Sequence, residues 1–118
     1  METQIEELPT TTCIRPQGRL DFEAAPAFQQ KVEQGIAASA QRGMPVVIEC
    51  TGLQYVSSAG LRVFLIAARG AKAASIPLMV CGLSNSVKDV FDISGFGRLV
   101  DVQPDFAAVL AKVTSSGS

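Results

Sequence analysis

Histidine and tryptophan are both missing from this chain of 118 residues. Without histidine there is no imidazole general base, no histidine-based triad and none of the commonest metal ligand. Charge is sparse as well: Asp, Glu, Lys and Arg make up 18% of the residues and sum to −1. That balance gives no electrostatic footprint for nucleic acid or an anionic membrane. Long apolar runs are absent too, since stretches such as Val63–Ala68 fall far short of the roughly 20 residues that cross a bilayer as a helix. Cysteine is limited to Cys13, Cys50 and Cys81, an odd count with neither CxxC nor metal-ligand spacing. Each lies in or beside an apolar run, where cysteine behaves as a small buried hydrophobe. Neither a Walker-type phosphate loop nor Gly-x-Gly-x-x-Gly occurs, so a built-in nucleotide site has no support. No cofactor and no metal are expected. The opening METQIEELP lacks the basic and apolar regions of a signal peptide, and the expected location is cytoplasmic.

What is present suits one globular domain. Hydrophobic residues reach 47%, enough for a sizeable core at this length. Ile5–Leu8 and Thr11–Arg15 read as short strands parted by Pro9-Thr10, with a stop or an unpaired position at Pro16 and a turn over Gln17-Gly18-Arg19. From about Ala25, Phe28, Val32, Ile36 and Ala40 recur at four-residue spacing, with Pro26 in the first turn and Gly43 past the last. Val46-Val47-Ile48 is apolar on consecutive residues, as in a strand covered on both faces. Leu61, Phe64, Leu65 and Ala68 predict a helix over Ser58–Lys72. Leu78–Cys81 reads as a second buried strand. A helix capped by Ser84 follows, burying Val87, Val90, Phe91 and Ile93. Leu99–Val102 predicts a last strand, and Pro104 opens a final helix carrying Phe106, Val109, Leu110 and Val113. The order predicts an α/β domain over residues 1–113: about four helices on a mixed, mostly parallel sheet of four to five strands, antiparallel near the N-terminus. Residues 114–118 read as a disordered tail.

The chemistry concentrates at Ser57-Ser58, where a strand and a polar turn give way to a helix. Serine is a preferred N-cap, contributing about 1 kcal/mol, and local chemistry alone favours capping. Neither serine has Glu or Gln three positions on, so there is no capping box. Gly60 is a poor helix residue unless something approaches its backbone closely. The alternative is phosphorylation, because a helix N-terminus attracts anions through its dipole and free N–H groups. The dipole contributes only about 0.3–1 kcal/mol, and favourably. A phosphate of about −1.5 to −2 charges buried by a partner would lose several kcal/mol of hydration. A penalty of about 4 kcal/mol moves an affinity from nanomolar to micromolar. Modification here would thus act on binding more than on folding.

Four segments, in order, resemble the STAS domain, the fold of bacterial anti-sigma factor antagonists. They are Gly18-Arg19-Leu20-Asp21, Val46-Val47-Ile48-Glu49, Tyr55-Val56-Ser57-Ser58-Ala59-Gly60-Leu61-Arg62-Val63 and Ser86–Gly95. The resemblance spans nearly the whole chain. It implies a phosphoacceptor and binding module rather than an enzyme, with an anti-sigma factor serine kinase and a serine phosphatase as partners. The unphosphorylated antagonist would bind the kinase, and phosphorylation would release it. Residue by residue the acceptor falls on Ser58, with Ser57 as second choice and capping as a further role of the Ser58 hydroxyl. Where well-known members have Asp-Ser-Ser-Gly, this chain has Ser57-Ser58-Ala59-Gly60, so Ser57 replaces the acid and Ala59 the following serine. Gly60, Leu61 and Arg62 would join Ser58 in the partner surface. Asp21 and Glu49 match family acids that lie toward the phosphorylation site, although each also suits a carboxylate satisfied by neighbouring N–H groups. A second reading is a non-switching STAS subunit of a transporter or signalling complex. A small ligand-binding or catalytic domain is a third, weakened by the absences above.

Overall fold

The computed structural model describes residues 1–116, with side chains as far as Thr114. β1 (Glu2–Glu7) and β2 (Thr12–Leu20) form an antiparallel hairpin, and α1 (Ala25–Arg42) leads to β3 (Val46–Glu49) and β4 (Leu53–Val56). Then come α2 (Ser58–Ala73), β5 (Leu78–Cys81), α3 (Asn85–Ile93), a 3-10 turn at Phe96–Arg98, β6 (Asp101–Gln103) and α4 (Phe106–Ser116). The strands lie in the order β1-β2-β3-β5-β6, with β4 joined to the far end of β2. Every pairing except β1 with β2 is parallel. The mixed, mostly parallel α/β architecture with four α-helices is the one the sequence predicts.

The sheet has six strands because Gln17-Gly18-Arg19 is not a turn. β2 runs straight through Pro16 and splits its parallel partners, using Thr12–Ile14 for β3 and Gly18–Leu20 for β4. The amides of Thr12 and Gly18 both point to this parallel side, donating to Pro45 O at 3.0 Å and Gly52 O at 2.9 Å. By the same alternation, the missing N–H of Pro16 falls in the gap between the two ladders, where none is needed. Gly18, at φ 106°, carries the register shift that starts the second ladder. A turn-like composition thus encodes the fork of the sheet.

Side-chain alternation sends β-sheet residues into two clusters. Ile14, Val46, Ile48 and Val80 face α1, α2 and α3, where they meet Phe28, Val32, Phe64, Ala67 and Phe91. Cys13, Val47, Met79 and Cys81 face α4 and meet Val109. The helix phases depart slightly from the expected stripes. In α1 the last buried position is Ser39, not the exposed Ala40, because the Ser39 hydroxyl donates to Met44 O and Pro45 O (2.8 and 2.9 Å) and ties down the exit loop. Gly43 ends α1 at φ 65° as expected. In α2 the buried face is Gly60, Val63, Phe64, Ala67 and Ala71, leaving Leu61, Leu65 and Ala68 half-buried on its flank.

Downstream, Ser84 caps α3 as predicted, accepting from the Val87 amide at 3.4 Å. Ile93, by contrast, is 88% exposed, because the helix ends there and its core face is spent on Val87 and Phe91. Leu99 is likewise exposed, and the last strand begins only at Asp101. α4 opens with the Ala108 amide on Asp105 Oδ1 (2.8 Å) and takes in Thr114–Ser116, which the sequence reading assigned to the tail. The remainder of that tail, residues 117–118, lies outside the described residues.

Candidate functional site

The ends of β2 and β4 lie side by side, with Leu20 paired to Val56, so the chain leaves both strands at one place. β2 exits into Asp21-Phe22-Glu23 and β4 into Ser57-Ser58. The Ser57 amide donates to Leu20 O at 2.9 Å, which fixes the first turn of α2 against the loop after β2. The register therefore brings Asp21 beside the serine pair.

The two serines divide their duties. Ser57 is the N-cap: its backbone is extended (φ −85°, ψ 171°) and its Oγ accepts from the Gly60 amide at 3.1 Å. Ser58 is the first helical residue; its side chain is exposed and its hydroxyl has no hydrogen-bond partner among the described residues. The expectation that the Ser58 hydroxyl also caps is thus corrected. The reason is geometric, since only the residue before the first turn has the extended backbone that aims an oxygen at the N–H three positions on. Gly60 supplies the tight packing its position suggested. A Cβ there would lie 2.6 Å from Leu20 Cγ, closer than real Cβ contacts come, and 3.0 Å from Leu20 O, tighter than nearly all of them. Glycine lets α2 start hard against the end of β2.

Of the acids, Asp21 serves its own turn: Oδ1 accepts from the Ala24 amide at 2.9 Å, and its carbonyl accepts from Ala25. Glu49 lies elsewhere. It shares the alternation of Val47 and so points to the α4 face, away from α2. Its carboxylate accepts from Thr51 Oγ1, 2.7 Å from each oxygen, and packs against Gly82. The structure does not join Glu49 to Ser58. Leu61 is half-buried, and Arg62 is exposed one turn beyond Ser58.

Two features escaped the sequence reading. Phe22, between two acids, is 78% exposed. It lines a mostly apolar groove of about 230 Å³ between α1 and α2, with Ala25, Pro26, Ala59, Arg62 and Ile66. Only its charged neighbours hint that Phe22 is not core. On the adjoining strand ends, the Arg19 guanidinium stacks over the Tyr55 ring at 4.3 Å. Ser58 adjoins the groove through its neighbour Ala59, on a surface of the composition that interfaces favour.

The cysteines lie apart from this surface, all three buried and unpaired. Burial pushes the Cys13 thiol up to about 11 and Cys81 to about 12, and holds Cys50 well above its ordinary value. Such thiols are poor nucleophiles at neutral pH. Among the described residues no group of His, Cys, Asp and Glu could hold a metal ion, and no helix is long and apolar enough to cross a membrane.

Comparison with known proteins places this geometry. The STAS domain family matches residues 2–109. A curated relative, the putative anti-sigma factor antagonist BtrV of Bordetella bronchiseptica, is 40% identical over 71 residues. The aligned stretch covers 59% of this chain and 61% of that relative. The fold is similar to the anti-sigma factor antagonist SpoIIAA in its unphosphorylated form, with a TM-score of 0.72, 24% identity and coverage of 92% of this chain and 93% of the other. It also resembles part of SLC26A9, with a TM-score of 0.74 and 13% identity, covering 94% of this chain but 21% of that much longer one.

Proposed function

This chain belongs to the STAS domain family, and from that premise we propose that it is an anti-sigma factor antagonist working by phosphorylation-controlled partner switching. In the unphosphorylated state it binds an anti-sigma factor serine kinase in the cytoplasm through the first turn of α2 and the adjoining groove. The kinase brings ATP and the phosphoryl-transfer chemistry; this protein brings the acceptor, Ser58, and is not itself an enzyme. Phosphorylation releases it, and a serine phosphatase returns it to the binding state. The names of the relatives support the reading. The observation that carries it is the exposed, unbonded hydroxyl of Ser58 beside a cap supplied wholly by Ser57. The acceptor can be modified without taking a hydrogen bond from the helix. Ser57, whose oxygen is engaged, is the second choice.

The balance of energies favours a switch in binding. At the start of α2 the added charge meets the positive helix end, a favourable effect of about 0.3–1 kcal/mol. Buried under a partner, the same dianion would lose several kcal/mol of hydration. Gly60, Leu61 and Arg62 complete the contact, with Asp21 and Ala59 at its edge. Glu49, on the opposite face of the sheet, lies outside this contact.

Incubation with the cognate kinase and ATP, followed by mass spectrometry, should place phosphate on Ser58. Ser58→Ala should bind the kinase without being labelled, and Ser58→Asp should bind more weakly. Equal labelling of wild type and Ser58→Ala would overturn the assignment. The likeness to one fifth of SLC26A9 favours a second reading, a non-switching STAS subunit of a transporter or signalling complex. Stable co-purification with such a complex, unchanged by Ser58→Asp, would support that reading instead.

A further inference from the structure

Arg62 is an exposed guanidinium with no acid assigned to it. The ion pairs among the described residues are Arg15 with Glu6 and Lys112 with Asp101, and the first turn of α2 contains no acidic residue. Arg62 is also the one charged residue lining the groove between α1 and α2; its neighbours there include Phe22, Pro26, Gln29, Ala59 and Ile66. Neither α1 nor the loop after β2 therefore presents a carboxylate to it across that cavity. A cation without a counterion stands at the mouth of an apolar groove.

Its position on the helix suggests what it meets. Ser58 and Arg62 are four residues apart, which puts their Cβ atoms about 6 Å from each other on one face. Helical side chains lean toward the N-terminus, so Arg62 reaches back over the turn that Ser58 begins. While Ser58 is a hydroxyl, Arg62 finds only a neutral oxygen there. A phosphate offers three strong acceptors, about −2 charges and a shape that the planar guanidinium fork fits with two parallel hydrogen bonds.

We propose that Arg62 captures the phosphate once Ser58 is phosphorylated, which makes it the residue that converts a local modification into a change of the docking surface. The inference rests on the partner-switching reading and deepens it. Capture holds the dianion on the flank of α2 and draws the guanidinium away from the groove. The two states then differ in the position of a positive charge as well as in the presence of a negative one. A partner group that uses Arg62 in the unmodified state loses it in the modified state, so release has an attractive contact removed as well as a repulsive one added.

The test separates this step from the kinase. Phosphoserine is installed at position 58 by codon suppression, and the phosphate is titrated by phosphorus NMR at low salt in otherwise wild-type protein, Arg62→Gln and Arg62→Lys. The wild-type phosphate pKa should lie lower than that of Arg62→Gln by about 0.3, with Arg62→Lys between them. The difference should shrink in about 1 M salt, where screening lengths fall to about 3 Å. If Arg62→Gln fails to fold, Arg62→Ala takes its place, and in the wild type the Arg62 Nε–H resonance should shift on phosphorylation and follow the phosphate titration; a resonance blind to the phosphate overturns the role. Identical titration of all three proteins, or a salt-insensitive difference, overturns the role of Arg62. Absence of kinase labelling at Ser58 would instead remove the functional reading and leave the titration to stand or fall alone.

Discussion

On one face of the sheet, Phe28, Phe64, Phe91 and Phe96 form a chain of tilted and edge-on rings, with successive centroids 5.6, 5.1 and 5.5 Å apart. On the other, Val109 of α4 rests on Cys13, Val47, Met79 and Cys81, flanked by Leu8, Phe106 and Val113. The first face locks three helices to the sheet through large, shape-specific side chains; the second is covered by one helix over small ones. The candidate site belongs to the first face. A surface that must be presented in a fixed geometry is built on the elements with the deepest packing, and Phe64 of α2 lies at the middle of that aromatic chain.

The largest test of this contrast is Phe64→Ala, which removes a fully buried ring and should destabilise the fold by about 4 kcal/mol in chemical denaturation. Val109→Ala on the opposite face should cost only about 1.5 kcal/mol, since it deletes two methyl groups from a smaller cluster. Equal losses would erase the distinction between the faces. Within the first turn of α2 the same reasoning separates neighbours. Ser57→Ala should lose about 1 kcal/mol with the cap, whereas Ser58→Ala should stay within about 0.5 kcal/mol of wild type. The reverse order would return the cap to Ser58.

The smallest effect at neutral pH belongs to the thiols of the α4 face. Burial raises Cys13 to about 11 and Cys81 to about 12, so each is protonated in the fold where an unfolded thiol, at about 8.5, has begun to ionise. Their contribution is fully present below the unfolded value and is lost as pH rises through the folded ones. Stability should therefore be insensitive to these groups near pH 7 and decline above about pH 8.5. Cys13→Ala should show a shallower alkaline decline than wild type. An unchanged slope would mean that the α4 face opens before its thiols ionise.

Much of the fold was legible because several local signals agreed. Pro26, the four-residue spacing from Phe28 and Gly43 all mark α1, and the β-branched run at Val46 marks a doubly covered strand. β4 and the upper half of β2 were missed together, for one reason. β4 and the last residues of β2, Gly18–Leu20, are strands because each is the other's partner, and nothing within Gln17–Arg19 or Leu53–Val56 reveals that pairing. The site was legible down to the serine pair, but assigning the cap required the helix phase to within one residue. Glu49 was misplaced because strand parity decides its face, and parity becomes informative only once the cover of each face is known. Phe22 gave only the hint of its two acidic neighbours, since burial of an aromatic residue is a property of the folded neighbourhood.

The close approach at Gly60 couples its identity to that of Leu20, forty positions away in the chain. A side chain at position 60 would need a smaller one at position 20 to relieve the contact with Leu20 Cγ. Even then the Leu20 carbonyl would remain, because the Ser57 amide holds it in place. The compensation is therefore lopsided: Leu20 can shrink alone and leave a void, but Gly60 cannot grow alone. Among related chains, any departure from glycine at position 60 should arrive after a reduction at position 20, never before it.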